Sequence, residues 1–165
     1  MADNVSKIDL EKELKEVGID LVKEIIEELH TYDKVASGRL VQSLSSKVTR
    51  VVVGVMDKVQ LSIIDSSGTL KFVDGGRRPG KQPPTGPIMK WIDDRRLPIR
   101  KGQTKAGVAF VIARSIGRKG IKPTHIIKTS MIKIMAKHKE LLSKASKVEI
   151  QKQLDIILKE FKNKQ

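Results

Sequence analysis

The chain has 165 residues, 39% hydrophobic and 32% charged, with 33 Lys and Arg against 19 Asp and Glu, a net charge of +14. That length supports one core and not two comfortable domains, and the absence of cysteine excludes a disulfide frame, a thiolate zinc site and a cysteine nucleophile. Aromatic residues are only 3%, so the core falls to Ile, Leu and Val, surfaces for stacking bases are scarce, and no stretch approaches the roughly 18 apolar residues of a membrane span.

The amino end MADNVSKIDLEKELKE is acidic, unlike a signal peptide, which predicts a soluble protein made inside the cell. Leu10, Leu14, Val17, Leu21, Ile25 and Leu29 recur at spacings of four and three, one apolar stripe on a helix over 7–30. Ser37-Gly38 is a break, followed by a short helical turn carrying Leu40 and Leu44. Val51, Val53 and Val55, then Val59, Leu61 and Ile63, then Leu70 and Phe72 alternate as half-buried strands do. Asp57-Lys58 and Ser66-Ser67-Gly68 separate the three runs, so the pattern predicts an antiparallel β-meander of about three strands with one face on a helix.

A Pro- and Gly-rich loop follows over 74–86. Thr85 then suits the cap of a helix with Pro87 near its first turn and with Ile88, Trp91 and Ile92 on one side, ending at Leu97-Pro98. A second helix over 105–119 is closed by Gly120. After Pro123, positions Ile127, Met131, Ile134, His138, Leu141, Ala145 and Val148 keep a heptad-like rhythm. The register then shifts to Ile150, Leu154, Ile157 and Phe161, and Ser146-Lys147-Val148-Glu149 has the form of a capping box, which predicts a helix break near Ser146. The expected architecture is α+β: a core domain over 1–145 with the meander packed against the first helix and the central helices, a protruding loop, and a helical tail over 146–165.

Charge is distributed unevenly. Ten acids face five lysines in residues 1–36, whereas residues 95–139 hold thirteen Lys or Arg and no acid. Such polarity suits a polyanion partner or head-to-tail contact between copies, against the plainer reading of a solvated, Lys-rich surface. Arg95, Arg96, Arg100, Lys101, Arg114, Arg118 and Lys119 are the candidates for this basic inter-subunit or DNA-facing surface. Catalytic partners are few. His30 suits the dipole at the end of the first helix, His125 follows a turn, His138 sits among apolar positions, and Asp93-Asp94 is followed at once by Arg95-Arg96, which reads as self-neutralisation or helix-end solvation. No catalytic residue, metal site or cofactor is expected.

The segment GRRPGKQPPTGPIMKW is not a phosphate-binding loop, because Gly80-Lys81 runs into Gln82-Pro83-Pro84 and prolines lack the amide donors of such a cradle. Three readings stay open: an assembly arm, a sequence-blind phosphate-binding arm, and an ordinary surface loop. As an arm it comprises Arg77, Arg78, Pro79, Gly80, Lys81, Gln82, Pro83 and Pro84, with extended prolines, a base turned by Gly75 and Gly76, and Phe72, Ile88, Trp91 and Ile92 as its buried anchor.

The order of residues from 36 to 135 resembles the tail-completion or tail-component proteins of tailed bacteriophages. The likeness runs through Ser37-Gly38-Arg39-Leu40 with Ser43, Phe72-Val73-Asp74-Gly75 and the basic proline loop, and Ile88-Met89-Lys90-Trp91-Ile92. It resumes at Ala109-Phe110-Val111-Ile112-Ala113-Arg114-Ser115-Ile116 and at Gly120-Ile121-Lys122-Pro123 before the last long helix. Thr124-His125-Ile126-Ile127 stands where members often place an aromatic, and the Lys-rich stretch 140–165 is longer than theirs, which suggests an added contact with another virion protein or a tail ordered only in the particle. The resemblance implies a structural virion protein without enzymatic activity, made in the host bacterial cytoplasm and forming a sixfold or twelvefold ring in the head-to-tail neck. Its implied partners are copies of itself and the portal, adaptor or tail tube, with non-specific contact to DNA passing through the lumen and none with membrane. The alternative is a basic phage-encoded nucleic-acid-binding protein with residues 95–139 facing phosphates.

Overall fold

Helix α1, Leu10–Thr31, forms where the 3.6-residue stripe requires it: Val17, Leu21, Ile25 and Leu29 are buried, and Leu10 and Leu14 are half-buried. The computed structural model describes residues 9–53 and 56–162. The expected helix start at Lys7 and the strand position Val55 lie outside the described residues, as do the side chains of Val53, Ile157 and Phe161. The described order is α1, then α2 (Arg39–Ser43), β1 (Leu44–Val53), β2 (Met56–Asp65), α3 (Leu70–Gly75), α4 (Thr85–Asp94), α5 (Lys105–Lys119) and α6 (Ile126–Lys162). The chain is therefore mixed α+β with a long helix near each end. It divides into two units, one of Met1–Ile26, Leu44–Ile64 and Lys128–Gln165, the other of Glu27–Ser43 and Asp65–Ile127.

In the first unit β1 and β2 form a two-stranded antiparallel sheet. It packs closely on α1, because a Cβ at Gly18 would lie 2.7 Å from Leu61 Cδ1 and 2.9 Å from Ser46 Cβ, so only glycine admits this approach. Helix α6 runs antiparallel to α1: Lys133 Nζ lies 2.6 Å from Glu24 Oε1, while Lys137 Nζ and His138 Nε2 lie 2.7 and 3.0 Å from Asp20 Oδ2. The Lys137 ammonium, with the His138 imidazole, holds the Asp20 carboxyl below the usual carboxylate range. On α6 the buried positions of this unit are Ser130, Ile134, His138 and Ala145, whereas Met131 and Leu141 of the expected rhythm are exposed. No end falls near Ser146. Nothing in Ile126–Lys162 is Pro or Gly, and Glu149, the expected capping partner, instead accepts a 2.9 Å hydrogen bond from Arg50 on β1.

The expected third strand is helix α3, and the reason is local capping. Asp65 accepts hydrogen bonds from Leu70 N (2.7 Å), Ser67 N (2.9 Å), Ser67 Oγ (2.6 Å) and Ser43 Oγ (2.8 Å). A carboxylate collecting these donors satisfies the start of a helix, which outweighs the short alternation of Leu70 and Phe72. Burial alone would push this carboxyl up, but the bonds from Ser67, Leu70 and Ser43 outweigh it and hold it at about 2. Two boundaries also differ. Leu44 opens β1 instead of extending the α2 turn, and β2 already includes Asp57 and Lys58, the expected turn.

The remaining core of the second unit is the α4–α5 pair, where Ile88 and Ile92 bury against Ala109 and Ala113, with Met89, Val108, Ile112 and Ile116 beside them. Small residues at 109 and 113 let the two helices approach, and larger side chains there would separate them. Helix α4 starts at Thr85 itself with Pro84 at the capping position and no side-chain cap, while α5 is capped by Thr104, whose Oγ1 accepts from Gly107 N at 3.1 Å.

Candidate functional site

The loop over 74–86 is anchored at its base. Arg77 N donates to Ile121 O at 2.9 Å and Ile121 N donates back to Arg77 O at 2.8 Å, an isolated antiparallel bridge, and Gly80 N donates to Gly117 O at 2.8 Å. Gly76 and Gly120 make this possible, with φ of 66° and 74°: a Cβ on Gly76 would strike the Ile121 carbonyl oxygen, and one on Gly120 would strike that of Arg77. Asp74 tightens the same base by accepting Thr124 N and His125 N on its carbonyl (3.0 and 3.1 Å) and Ile127 N on its carboxylate (2.8 Å), which caps the first turn of α6. Arg77 folds back to donate to Lys81 O at 2.6 Å. An arm poorly packed along its whole length is thus corrected to one docked on its own subunit through residues 76–80, with Arg78, Pro79, Lys81, Gln82 and Pro84 still exposed and Pro83 half-buried.

The expected anchor divides. Ile88 and Ile92 are buried, but Phe72 is 52% exposed and Trp91 39% exposed, so neither is the buried plug that the sequence suggests. Helix α3 explains Phe72: Leu70 takes the inward position and Phe72 turns outward with Lys71, whose Nζ lies 4.9 Å from the ring centroid. Trp91 sits on α4 beside the Ile88–Ile92 face rather than on it, since Ile88 and Ile92 are the α4 side chains that close on Ala109 and Ala113.

Phe72 and Trp91 instead line an open groove of about 1030 Å³, formed wholly within the second unit. Tyr32 lines it too, so three of the five aromatic residues of the chain meet at one surface. Val35, Leu40, Ile88, Leu97, Ile112, Ile116 and Ile121 supply an aliphatic floor and walls. The charged lining residues are Lys34, Arg39, Arg95 and Lys122 against Asp33 and Asp94. Two of the cations are partnered: Arg95 Nη1 lies 2.5 Å from Asp33 Oδ1, and Arg39 Nη2 lies 3.4 Å from Asp94 Oδ2. Asp93 pairs with Lys105 at 2.6 Å, so Asp93, Asp94 and Arg95 are each paired with a remote residue and not with one another. Tyr32 and Val35 carry no motif, and the only sequence signal for Tyr32 is the scarcity that makes each aromatic informative.

The basic candidates fall on two segments, the chain just after α4 and helix α5. Arg96, Arg100, Lys101, Arg114, Arg118 and Lys119 are exposed, while Arg95 is engaged with Asp33. Arg114 and Arg118 follow Phe110 and Val111 at helical spacing on α5, where these two side chains are 51% and 66% exposed. Among the described residues no group of three His, Asp or Glu could hold a metal ion, and no helix is long and apolar enough to cross a membrane. No family profile, curated protein or solved structure matches this chain.

Proposed function

We propose that this protein is a structural, non-enzymatic component of the head-to-tail neck of a tailed bacteriophage, assembling with copies of itself into a ring of sixfold or twelvefold symmetry against the portal, adaptor or tail tube. The observation that carries the reading is the basic loop: its base is hydrogen-bonded to the segment after α5, and its exposed Arg78, Lys81 and Gln82 form a handle of defined position. An arm ordered before contact loses less entropy on docking than a free linker does. Charge polarity supports the same reading. The second unit holds sixteen Lys or Arg against seven Asp or Glu, a net +9, while residues 1–26 of the first hold seven Asp or Glu against four Lys. Segments of opposite sign on one chain favour a head-to-tail contact, which closes into a ring when the rotation allows.

Mass spectrometry of purified virions tests the assignment, which fails if the protein is absent from them. Arg78→Glu with Lys81→Glu tests the arm: monomer stability should stay unchanged while incorporation into particles falls roughly tenfold. Normal incorporation of that variant removes the assembly role of the arm.

A second reading, sequence-independent nucleic-acid binding, is favoured by the six exposed cations Arg96, Arg100, Lys101, Arg114, Arg118 and Lys119. It requires submicromolar affinity for duplex DNA at physiological salt, falling steeply as salt rises.

A further inference from the structure

The groove of the second unit, about 1030 Å³, is lined by Tyr32, Phe72 and Trp91 over an aliphatic floor. Its aromatic rings stand at the surface in a protein with few of them, and an exposed apolar surface of this kind marks a binding site. We infer that the groove docks an acidic, amphipathic segment of a protein partner, with Leu- or Phe-type side chains against Phe72 and Trp91 and carboxylates against Lys34 and Lys122. The inference does not depend on the ring reading and stands if that reading fails.

Charge selects the occupant. The lining cations outnumber the lining acids by four to two, and after Arg95–Asp33 and Arg39–Asp94 pair, Lys34 and Lys122 remain as exposed ammonium groups at the rim. The whole unit carries +9. A partner bearing carboxylates is drawn to such a rim, whereas the basic arm of a second copy, with Arg78 and Lys81, is repelled by it. A single nucleic-acid strand meets the same charge and the same rings, but strand-binding grooves combine basic residues with aromatic platforms, and here Val35, Leu40, Leu97, Ile112, Ile116 and Ile121 dominate. Aliphatic walls match aliphatic and aromatic side chains, as when an amphipathic helix lays its apolar face into a groove.

Trp91 is the only tryptophan, so its fluorescence reports on the groove directly. The full-length chain is titrated with a synthetic amphipathic peptide carrying Leu and Phe on one face and Glu and Asp on the other, with the same peptide bearing Lys for every acid, with oligothymidylate, and with a peptide copying residues 77–85 of this chain. The acidic peptide should shift Trp91 emission to shorter wavelength and saturate below about 100 µM, and the Lys version should bind at least roughly tenfold more weakly. Phe72→Ala and Lys122→Glu should each weaken the acidic peptide roughly tenfold while circular dichroism stays unchanged, with Lys34→Glu as the substitute if either variant misfolds. An unchanged emission, equal binding of the acidic and Lys peptides, or tighter binding of oligothymidylate or of the 77–85 peptide overturns the proposal.

Discussion

In the first unit Val17, Leu21, Ile25 and Ile134 are buried, and Asp20, Glu24 and Glu149 each meet a cation across elements; in the second the α4–α5 contact is made with Ala109 and Ala113, and Phe72, Trp91 and Tyr32 stay at the surface. The first unit buries the stripe of α1 against its neighbours and pairs Asp20, Glu24 and Glu149 across elements, while Ile19, Ile132 and Ile150 stay exposed. The second is held by close helix approach and by hydrogen bonds between loops, which leaves aromatic rings and lysines facing outward. A region held together this way presents binding surface directly on its core, because Ile88, Ile112 and Ile116 both pack the α4–α5 pair and line the groove.

The largest expected effect breaks the first unit. Ile25 is fully buried, so Ile25→Ala should cost about 3–5 kcal/mol in urea denaturation, and a loss below about 1 kcal/mol would show that burial is not what stabilises this unit. Gly120→Ala strikes the second unit where it is held: a left-handed backbone gains a Cβ that meets the Arg77 carbonyl, for about 3 kcal/mol, and the amides of Arg77 and Ile121 should lose hydrogen-exchange protection.

Asp65 gives an intermediate effect with a defined sign. Its folded carboxyl is held at about 2, below the ordinary value of 3.8, so its contribution is present at neutral pH and is lost as pH falls from about 4 through about 2. Wild type should lose about 1–2 kcal/mol across that window after allowance for solvent screening. Asp65→Asn should be less stable at neutrality and flatter between pH 4 and 2. The smallest effect sharpens the comparison. Trp91→Ala removes a side chain that is 39% exposed and should cost about 1–2 kcal/mol, less than Ile92→Ala at about 3 kcal/mol measured in the same denaturant series. A larger loss at Trp91 would mean that the groove wall is core.

The apolar stripe of α1 is legible because six residues at helical spacing leave one way to bury them, and the bounds of α5 are legible because Gly120 cannot be replaced by a residue with a side chain at its backbone angle. The fate of Leu70 and Phe72 is not, since alternation over so few residues competes with a carboxylate at Asp65 whose role as a cap appears only once Ser43, Ser67 and Leu70 converge on it. The same holds for the charge pairs: Asp93 and Asp94 have cationic neighbours in sequence, yet their partners are Lys105 and Arg39.

The sequence by itself determined the aliphatic nature of the core, the helical ends, the acidic start and the basic stretch, because these follow from residue type and local period. Only the tertiary structure decided that Tyr32, Phe72 and Trp91 share one groove and that Arg77 binds Ile121 across 44 positions, because both depend on how closely Ala109, Ala113, Gly76 and Gly120 let backbone segments approach.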